Sequence, residues 1–199
     1  MQQELRIGCL VMAAGSGRRF GGNKLAAELD GKPLIRRALE AVPAAQFFAV
    51  VVVSQYEDIE ELAGQFGFAA IHNDRPDLGL SRTIRLGTEA MRGCDGILYM
   101  VADQPKLRQE TVAQLVEVWR QHPDKIVGAG HDGRRGNPNL FPARFFPDLM
   151  ALSGDHGGSA VIRAHEEDLL LVETDAAELF DCDTPEALDA LRPERQEAL

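Results

Sequence analysis

The segment VMAAGSGRRFGGNKL, residues 11–25, passes from apolar residues into small residues and glycines and then into cations. It continues IGCLVM, residues 7–12, an apolar run that predicts a fully buried strand. Glycines after a strand let backbone N–H groups approach an anion closely, because glycine has no side chain. Arg18, Arg19 and Lys24 supply positive charge beside those glycines, and such side chains pair with phosphate oxygens. The segment therefore predicts an α/β fold with a phosphate-binding loop.

The loop departs from each of two familiar phosphate-loop patterns. A dinucleotide fingerprint GxGxxG starting at Gly15 needs a glycine where the chain has Phe20. A Walker loop needs lysine directly after its second conserved glycine, but Gly17 and Gly22 are followed by Asn23. These departures disfavour a hydride-transfer enzyme and a P-loop NTPase, and a nucleoside triphosphate remains a suitable ligand.

Strand-like and helix-like segments alternate downstream of this loop. Apolar runs at 49–54, 96–101 and 125–129 predict further strands. Segments of helical period lie at 33–42, 58–66, 81–91 and 110–119. The alternation predicts a Rossmann-like, three-layer α/β/α fold with a mostly parallel sheet.

The last third of the chain departs from this alternation. HDGRRGNPNLF, residues 131–141, predicts a turn that leads into a strand. Short helices, two short strands and a final helix from Pro185 are expected to follow. Because no linker or repeat interrupts the sequence, we expect one domain over residues 1–199.

The composition excludes several classes of partner. The chain has 199 residues, 45% of them hydrophobic, and a formal net charge of -10. So acidic a surface disfavours nucleic acid and anionic membranes. The first apolar stretch is too short to span a bilayer, and the cysteines, only 3 in number, show no disulfide pattern. We expect a cytoplasmic protein that acts on small molecules.

Acidic residues follow two other predicted elements. Asp103 comes directly after the strand at 96–101, where a Mg²⁺ ligand would lie, or it caps a helix that starts at Pro105. Asp181 and Asp183 occupy alternate positions of a predicted short strand, so both carboxylates could reach one ion. The competing interpretation is that Asp183 or Thr184 caps the final helix.

Taken together, these motifs resemble those of the MobA-like NTP transferase family, and more narrowly its molybdenum cofactor cytidylyltransferase branch. The resemblance rests on AAGSGRRFGGNKL with GKPLI near the start, and on GNPNLFP, SGDHGG and DCDTP near the end. It spans nearly the entire chain and implies a nucleotidyltransferase fold. One departure stands at Asn137, where many members of the family have histidine before the proline.

The resemblance implies roles for the nucleotide-side residues. Arg18 would hold the β and γ phosphates, Lys24 would neutralise the α phosphate, and Asp103 would act with them in catalysis. Mg²⁺ would be held by Asp103 and Asp181. The full set implied for nucleotide binding is Ala13, Ala14, Gly15, Ser16, Gly17, Arg18, Lys24 and Ser81. The pair Ala13–Ala14 stands where guanylyl-transferring relatives have glycines, which favours CTP over GTP.

Other residues are implied to face the acceptor: Asn137, Pro138, Asp155, His156 and Asp183. Several have simpler interpretations. Ser81 could cap a helix, Asp155 could do the same, and His156 could be a solvated loop residue. Asp183 could be structural, and Arg82 and Arg85 could face either the triphosphate or solvent.

The implied reaction transfers CMP from CTP to the terminal phosphate of molybdopterin or the molybdenum cofactor, with release of pyrophosphate. Two alternatives remain open. One is nucleotidyl transfer to a sugar phosphate or to methylerythritol phosphate. The other is non-catalytic delivery of the finished cofactor to a molybdenum hydroxylase.

Overall fold

The computed structural model describes residues 4–15, 17 and 20–192. Its strands are β1 (Ile7–Ala13), β2 (Glu28–Leu29), β3 (Lys32–Pro33), β4 (Ala49–Ser54), β5 (Ala69–His72), β6 (Gly96–Val101), β7 (Ile126–His131), β8 (Arg134–Pro142) and β9 (Leu169–Glu173). Seven of them form one sheet in the order β5-β4-β1-β6-β8-β7-β9, and β2 pairs with β3 separately. Only β8 runs antiparallel to its neighbours in the large sheet. The prediction of a mostly parallel sheet is confirmed.

Helices cover both faces of the large sheet. They are α1 (Leu34–Glu40), α2 (Glu57–Gln65), α3 (Leu80–Ala90), α4 (Gln109–Gln121), α5 (Phe146–Ala151), α6 (Gly158–Ala164) and α7 (Pro185–Ala190). One core cluster joins the sheet to α1, α2 and α4, and a second joins it to α3, α5 and α6. Cys9 and Val11 belong to the first cluster and Leu10 to the second, because successive strand side chains point to opposite faces. The α/β/α prediction is confirmed.

The small hairpin β2–β3 has its own packing partner. Leu29 of the hairpin, Leu34, Cys182 and Leu188 of α7 form a third buried cluster. The chain around Cys182 is therefore anchored beside the loop that follows β1. No helix in the described part of the chain is long and apolar enough to cross a membrane.

Some predicted elements are wrong. Pro105 does not begin a helix: residues 105–106 form a turn, and α4 begins at Gln109. Residues 174–184, all described, contain no strand, so Asp181 and Asp183 are not alternate residues of one. A single backbone hydrogen bond, from Cys182 N to Asp103 O at 2.8 Å, links this segment to the end of β6. One such bond fixes a position without forming a ladder.

The register of the sheet determines where the loops meet. β1 pairs in parallel with β6, and Met12 lies opposite Val101 at their carboxyl ends. The glycine-rich loop after β1 and Asp103 after β6 therefore leave the sheet at the same edge, where ligands of open α/β sheets bind.

Candidate active site

Lys24 lies at the centre of this edge. The side chain of Asn23 accepts a hydrogen bond from Leu25 N at 3.1 Å and starts a short 3₁₀ turn, Lys24–Ala26. Leu25 is buried and anchors that turn. The ammonium of Lys24 then reaches two carboxylates, Asp103 Oδ2 at 2.5 Å and Asp183 Oδ1 at 2.9 Å. One cation thus joins the loop after β1, the end of β6 and the segment before α7.

The charge on Lys24 is stabilised by these partners. Burial by itself lowers the pKa of Lys24, but the attraction and hydrogen bonds of Asp103 and Asp183 outweigh it, so the pKa is raised above its ordinary value. Lys24 is therefore a permanent cation at neutral pH.

The glycine-rich loop is closed by a contact that only glycine permits. Gly17 has a φ of +56°, and a Cβ placed there would lie 2.0 Å from the carbonyl oxygen of Gly22. Phe20 N also donates to Gly17 O at 2.8 Å. A side chain at position 17 would force the loop apart.

Two residues that follow β4 hold the start of the loop, and no sequence pattern indicates them. Gln55 Nε2 donates to Ala14 O at 2.8 Å, and Tyr56 Oη donates to Gly15 O at 3.3 Å. Because C=O and N–H of a trans peptide point in opposite directions, the N–H of Gly15 points away from Gln55. The tether therefore orients a backbone donor for an anion.

A cavity of about 460 Å³ opens beside this loop, within the range of small-molecule sites. The described residues that line it include Ala14, Gly15, Gly17, Lys24 and Asp103, all expected on the nucleotide side, and also Asp155 and Asp183. Lys24 is the one cation among those described lining residues, beside the carboxylates of Asp77, Asp103, Asp155 and Asp183. A triphosphate in this cavity would need further positive charge. Ser16, Arg18 and Arg19 lie outside the described residues.

Two residues expected to bind nucleotide do not line the cavity. Ala13 is fully buried in β1. Ser81 lies inside α3, whose N-cap is Gly79, so the helix-cap interpretation of Ser81 is wrong. Its hydroxyl donates to Leu78 O at 3.5 Å and its side chain is buried. Leu80 and Thr83, on either side of it, face the cavity.

A second cavity, of about 550 Å³, lies next to the first and contains Asp181. Gln104 Nε2 donates to Asp181 Oδ1 at 2.9 Å and to Leu179 O at 3.3 Å. Burial and the nearby Asp103 carboxylate raise the pKa of Asp181. Asp181 and Asp183, separated by one residue, therefore face different cavities. Asp103 lines the first cavity, and the next residue, Gln104, lines the second.

Of the residues expected on the acceptor side, three line one of these cavities and two line neither. Asn137 lines the second cavity, whereas Asp155 and Asp183 line the first. Pro138 is buried in β8. His156 is exposed, with its Nδ1 2.9 Å from Ser153 O. Asp155 does not cap α6, whose N-cap is Gly157.

A glycine-rich loop, a lysine and an aspartate thus meet at one edge of the sheet. A family model described as the MobA-like NTP transferase domain matches residues 9–169. This chain belongs to that family. Its sheet and helices also match a nucleotidyl transferase from Methanothermobacter thermautotrophicus with a TM-score of 0.78 and 23% identity, over 94% of this chain and 96% of that one. That likeness confirms the nucleotidyltransferase fold.

Relatives among curated proteins agree with the family assignment. The chain is 29% identical to purine catabolism protein PucB of Bacillus subtilis over 197 residues, which cover 92% of this chain and 94% of PucB. It is 32% identical to molybdenum cofactor guanylyltransferase of Rhodobacter capsulatus over 124 residues, which cover 59% of this chain and 62% of that protein. Membership of the MobA-like family indicates a nucleotidyltransferase.

The donor set of this MobA-like transferase fits a divalent cation. Asp103 Oδ1 is buried and has no hydrogen-bond partner among the described residues, and an orphaned carboxylate oxygen is a suitable ligand for a hard cation. Asp103, Asp181 and Asp183 do not form one of the tight three-ligand clusters found in the described chain. Mg²⁺ needs only one or two carboxylates, since phosphates and water complete its shell.

Proposed function

We propose that this protein transfers CMP from CTP to the terminal phosphate of molybdopterin or the molybdenum cofactor and forms the cytosine dinucleotide. An oxygen of the acceptor phosphate attacks the α phosphorus of CTP. The bond between that phosphorus and the oxygen bridging to the β phosphorus breaks, and the electron pair leaves with pyrophosphate. The acceptor oxygen is already ionised near neutral pH, so no general base is required.

The contact between Lys24 and Asp103 carries this proposal. It places a cation and a carboxylate with an orphaned oxygen in one cavity, beside a glycine-rich loop. The chief obstacle to the reaction is repulsion between two polyanions, and fixed charges that stabilise the transition state reduce it. In the proposal Lys24 releases Asp103, keeps its contact with Asp183 and pairs with the α phosphate. Arg18, whose role rests on the family resemblance, holds the β and γ phosphates.

Asp103 and Asp181 would hold Mg²⁺, which supplies positive charge to the reacting phosphates. The location of these carboxylates supports this assignment, because Asp103 lines the cavity proposed for the nucleotide and Asp181 lines the one proposed for the acceptor. Asp183 would position Lys24 from the other side. Lys24 and Asp183 are therefore expected to affect the charge on the α phosphate, and Asp181 the binding of the acceptor.

CTP is proposed as the donor because Ala13 and Ala14 replace the glycines of guanylyl-transferring relatives. The test incubates the protein with Mg²⁺, purified molybdopterin and each nucleoside triphosphate in turn, and measures pyrophosphate. We expect release with CTP and none in the Asp103→Asn variant. Release with GTP alone would show that the protein transfers GMP and not CMP, which is the transfer named for the Rhodobacter relative. Release with a sugar phosphate or methylerythritol phosphate in place of the pterin would show that this compound, and not the pterin, is the acceptor.

A carrier role is the second candidate, favoured by Asn137, which departs from the family's usual histidine. A carrier would bind the finished dinucleotide and pass it to a molybdenum hydroxylase without releasing pyrophosphate from CTP. We also propose a reducing cytoplasmic location, which the free and buried Cys9, Cys94 and Cys182 support.

A further inference from the structure

The second cavity is built mainly by the β7–β8 hairpin and the chain that precedes Asp181. Arg134, Arg135 and Asn137 line it from the hairpin, and Ser159 lines it from α6. A Cβ on Gly136 would lie 3.0 Å from Leu179 Cδ2, so the hairpin packs directly on the Asp181 segment. The cavity is therefore a fixed feature of the fold.

The described residues that line the cavity include two cations, Arg134 and Arg135, and one carboxylate, Asp181, which is a local excess of positive charge on an acidic protein. Arg134 and Arg135 are both exposed, and no carboxylate among the described residues lies within ion-pair distance of either. Other exposed arginines, such as Arg75 and Arg92, are paired with neighbouring acids. Two guanidinium groups without acidic partners at one concave surface are suited to bind an anion.

Arg134 and Arg135 pair with His131 and Gly130 at the end of the hairpin, next to the turn that joins its two strands. Both residues line the cavity. The register shift of the hairpin lies further along β8, between Arg135 and Asn139.

Gln104 lines the second cavity together with the arginines, and its neighbour Asp103 lines the first. Gln104 is 3% exposed, follows Asp103 directly and donates to Asp181 Oδ1. Its own oxygen, Oε1, is buried without a partner among the described residues. A ligand in the second cavity that donates a hydrogen bond could satisfy this oxygen. The same ligand would lie beside the carboxylate proposed for the metal.

We propose that Arg134 and Arg135 form the acceptor-phosphate site and recognise the dianion of a phosphate monoester in the second cavity. The assignment rests on the proposed function for the identity of the reaction, but the anion site itself follows from the cavity and its charges. Planar guanidinium groups hold phosphate oxygens in a defined orientation. They would offset the repulsion between the acceptor and the triphosphate and aim one oxygen towards the first cavity.

The test measures anion binding without turnover. The protein is saturated with Mg²⁺ and α,β-methylene-CTP, which fills the first cavity, and inorganic phosphate is then titrated by calorimetry. We expect the Arg134→Gln/Arg135→Gln double variant to bind phosphate roughly 10- to 100-fold more weakly, as for the loss of charge-assisted hydrogen bonds. Arg92→Gln, which replaces an exposed arginine in the turn after α3, serves as the control and should bind like the wild type.

Steady-state assays add a second readout. With CTP saturating, the double variant should show a KM for the acceptor raised by a similar factor and a KM for CTP within about twofold of the wild type. Phosphate binding that is absent in the wild type, or unchanged in the double variant, would overturn the proposal even if pyrophosphate is released. Loss of phosphate binding in a protein that releases no pyrophosphate would instead sustain the anion site and reject the proposed transferase reaction.

Discussion

The ammonium of Lys24 lies 2.5 Å from Asp103 Oδ2, although 79 positions separate the two residues in the chain. The same ammonium lies 2.9 Å from Asp183 Oδ1. In this state Lys24 stands between carboxylates that a divalent cation would also approach. We propose that the lysine and a divalent cation compete for this region of negative charge until a nucleotide draws the lysine away.

This competition predicts opposite effects of Lys24→Met on metal binding and on turnover. Without nucleotide, Mn²⁺ should bind at least about tenfold more tightly, because a like charge a few ångströms away is removed. The kcat should fall by roughly 10²–10³, as when a group that stabilises transition-state charge is lost. Electron paramagnetic resonance of free Mn²⁺ measures the first effect and pyrophosphate release the second.

Lys32→Met is the control for this variant, since Lys32 pairs with Glu40 on the surface. It should leave both quantities unchanged. Metal affinity that is equal or weaker in Lys24→Met would show that the lysine does not compete with the ion.

Asp181 and Asp183 should give different kinetic phenotypes because they face different cavities. Asp181→Asn should weaken metal binding in the presence of nucleotide and raise the KM for the acceptor. Asp183→Asn removes one partner of Lys24 and should chiefly lower kcat. Titrating Mg²⁺ and acceptor against each variant separates the two, and full activity with normal Mg²⁺ dependence in Asp181→Asn would reject it as a ligand.

Gly17→Ala should impair nucleotide binding without unfolding the protein. The added Cβ would overlap the carbonyl oxygen of Gly22, and the positive φ disfavours any side chain. We expect the affinity for CTP to fall by about tenfold or more while the thermal midpoint changes little, because the loop lies outside the core. Gly22→Ala is the matched control: its Cβ meets nothing within 4 Å. Equal nucleotide affinity in both variants would contradict the account of the loop.

Glu178 should stabilise the segment that carries both aspartates. Its buried carboxylate accepts hydrogen bonds from Arg108 Nε at 2.8 Å, from Arg108 N at 2.9 Å and from Thr111 Oγ1 at 2.6 Å. Glu178→Gln keeps the shape but loses the charge, and should lower the free energy of unfolding by about 2 kcal/mol. Urea denaturation measures the change, with Glu110→Gln as an exposed control. A difference between them below about 0.5 kcal/mol would show that Glu178 is not a structural anchor.

Much of the fold follows from local sequence. The strands at 49–54 and 96–101 have the bounds that their β-branched runs predict. Strand β5, only 4 residues long and mostly exposed, has no such pattern and was not predicted. The meeting of the glycine-rich loop with Asp103 follows from parallel strands sharing an edge.

The finer site could not be predicted from local pattern. The tethers from Gln55 and Tyr56 join residues 41 positions apart, and no spacing rule anticipates such contacts. Asp181 and Asp183 were expected on one face of a strand. They face different cavities because residues 174–184 form no strand, and one backbone hydrogen bond at Cys182, rather than a ladder, links them to the end of β6. Local sequence does not predict that Arg134 and Arg135 share a cavity with Asp181, because the folded hairpin brings them together.

The central claim is that the cavity around Lys24 and Asp103 directs attack on the α phosphorus of a nucleotide. Its most direct test follows radioactive phosphorus from CTP labelled at the α or the γ position, with Mg²⁺ and molybdopterin present. We predict that the α label appears in the pterin product and the γ label in pyrophosphate, and that Asp103→Asn abolishes both. Appearance of the γ label in the pterin product, or the same α transfer in the Asp103→Asn variant, would contradict the claim.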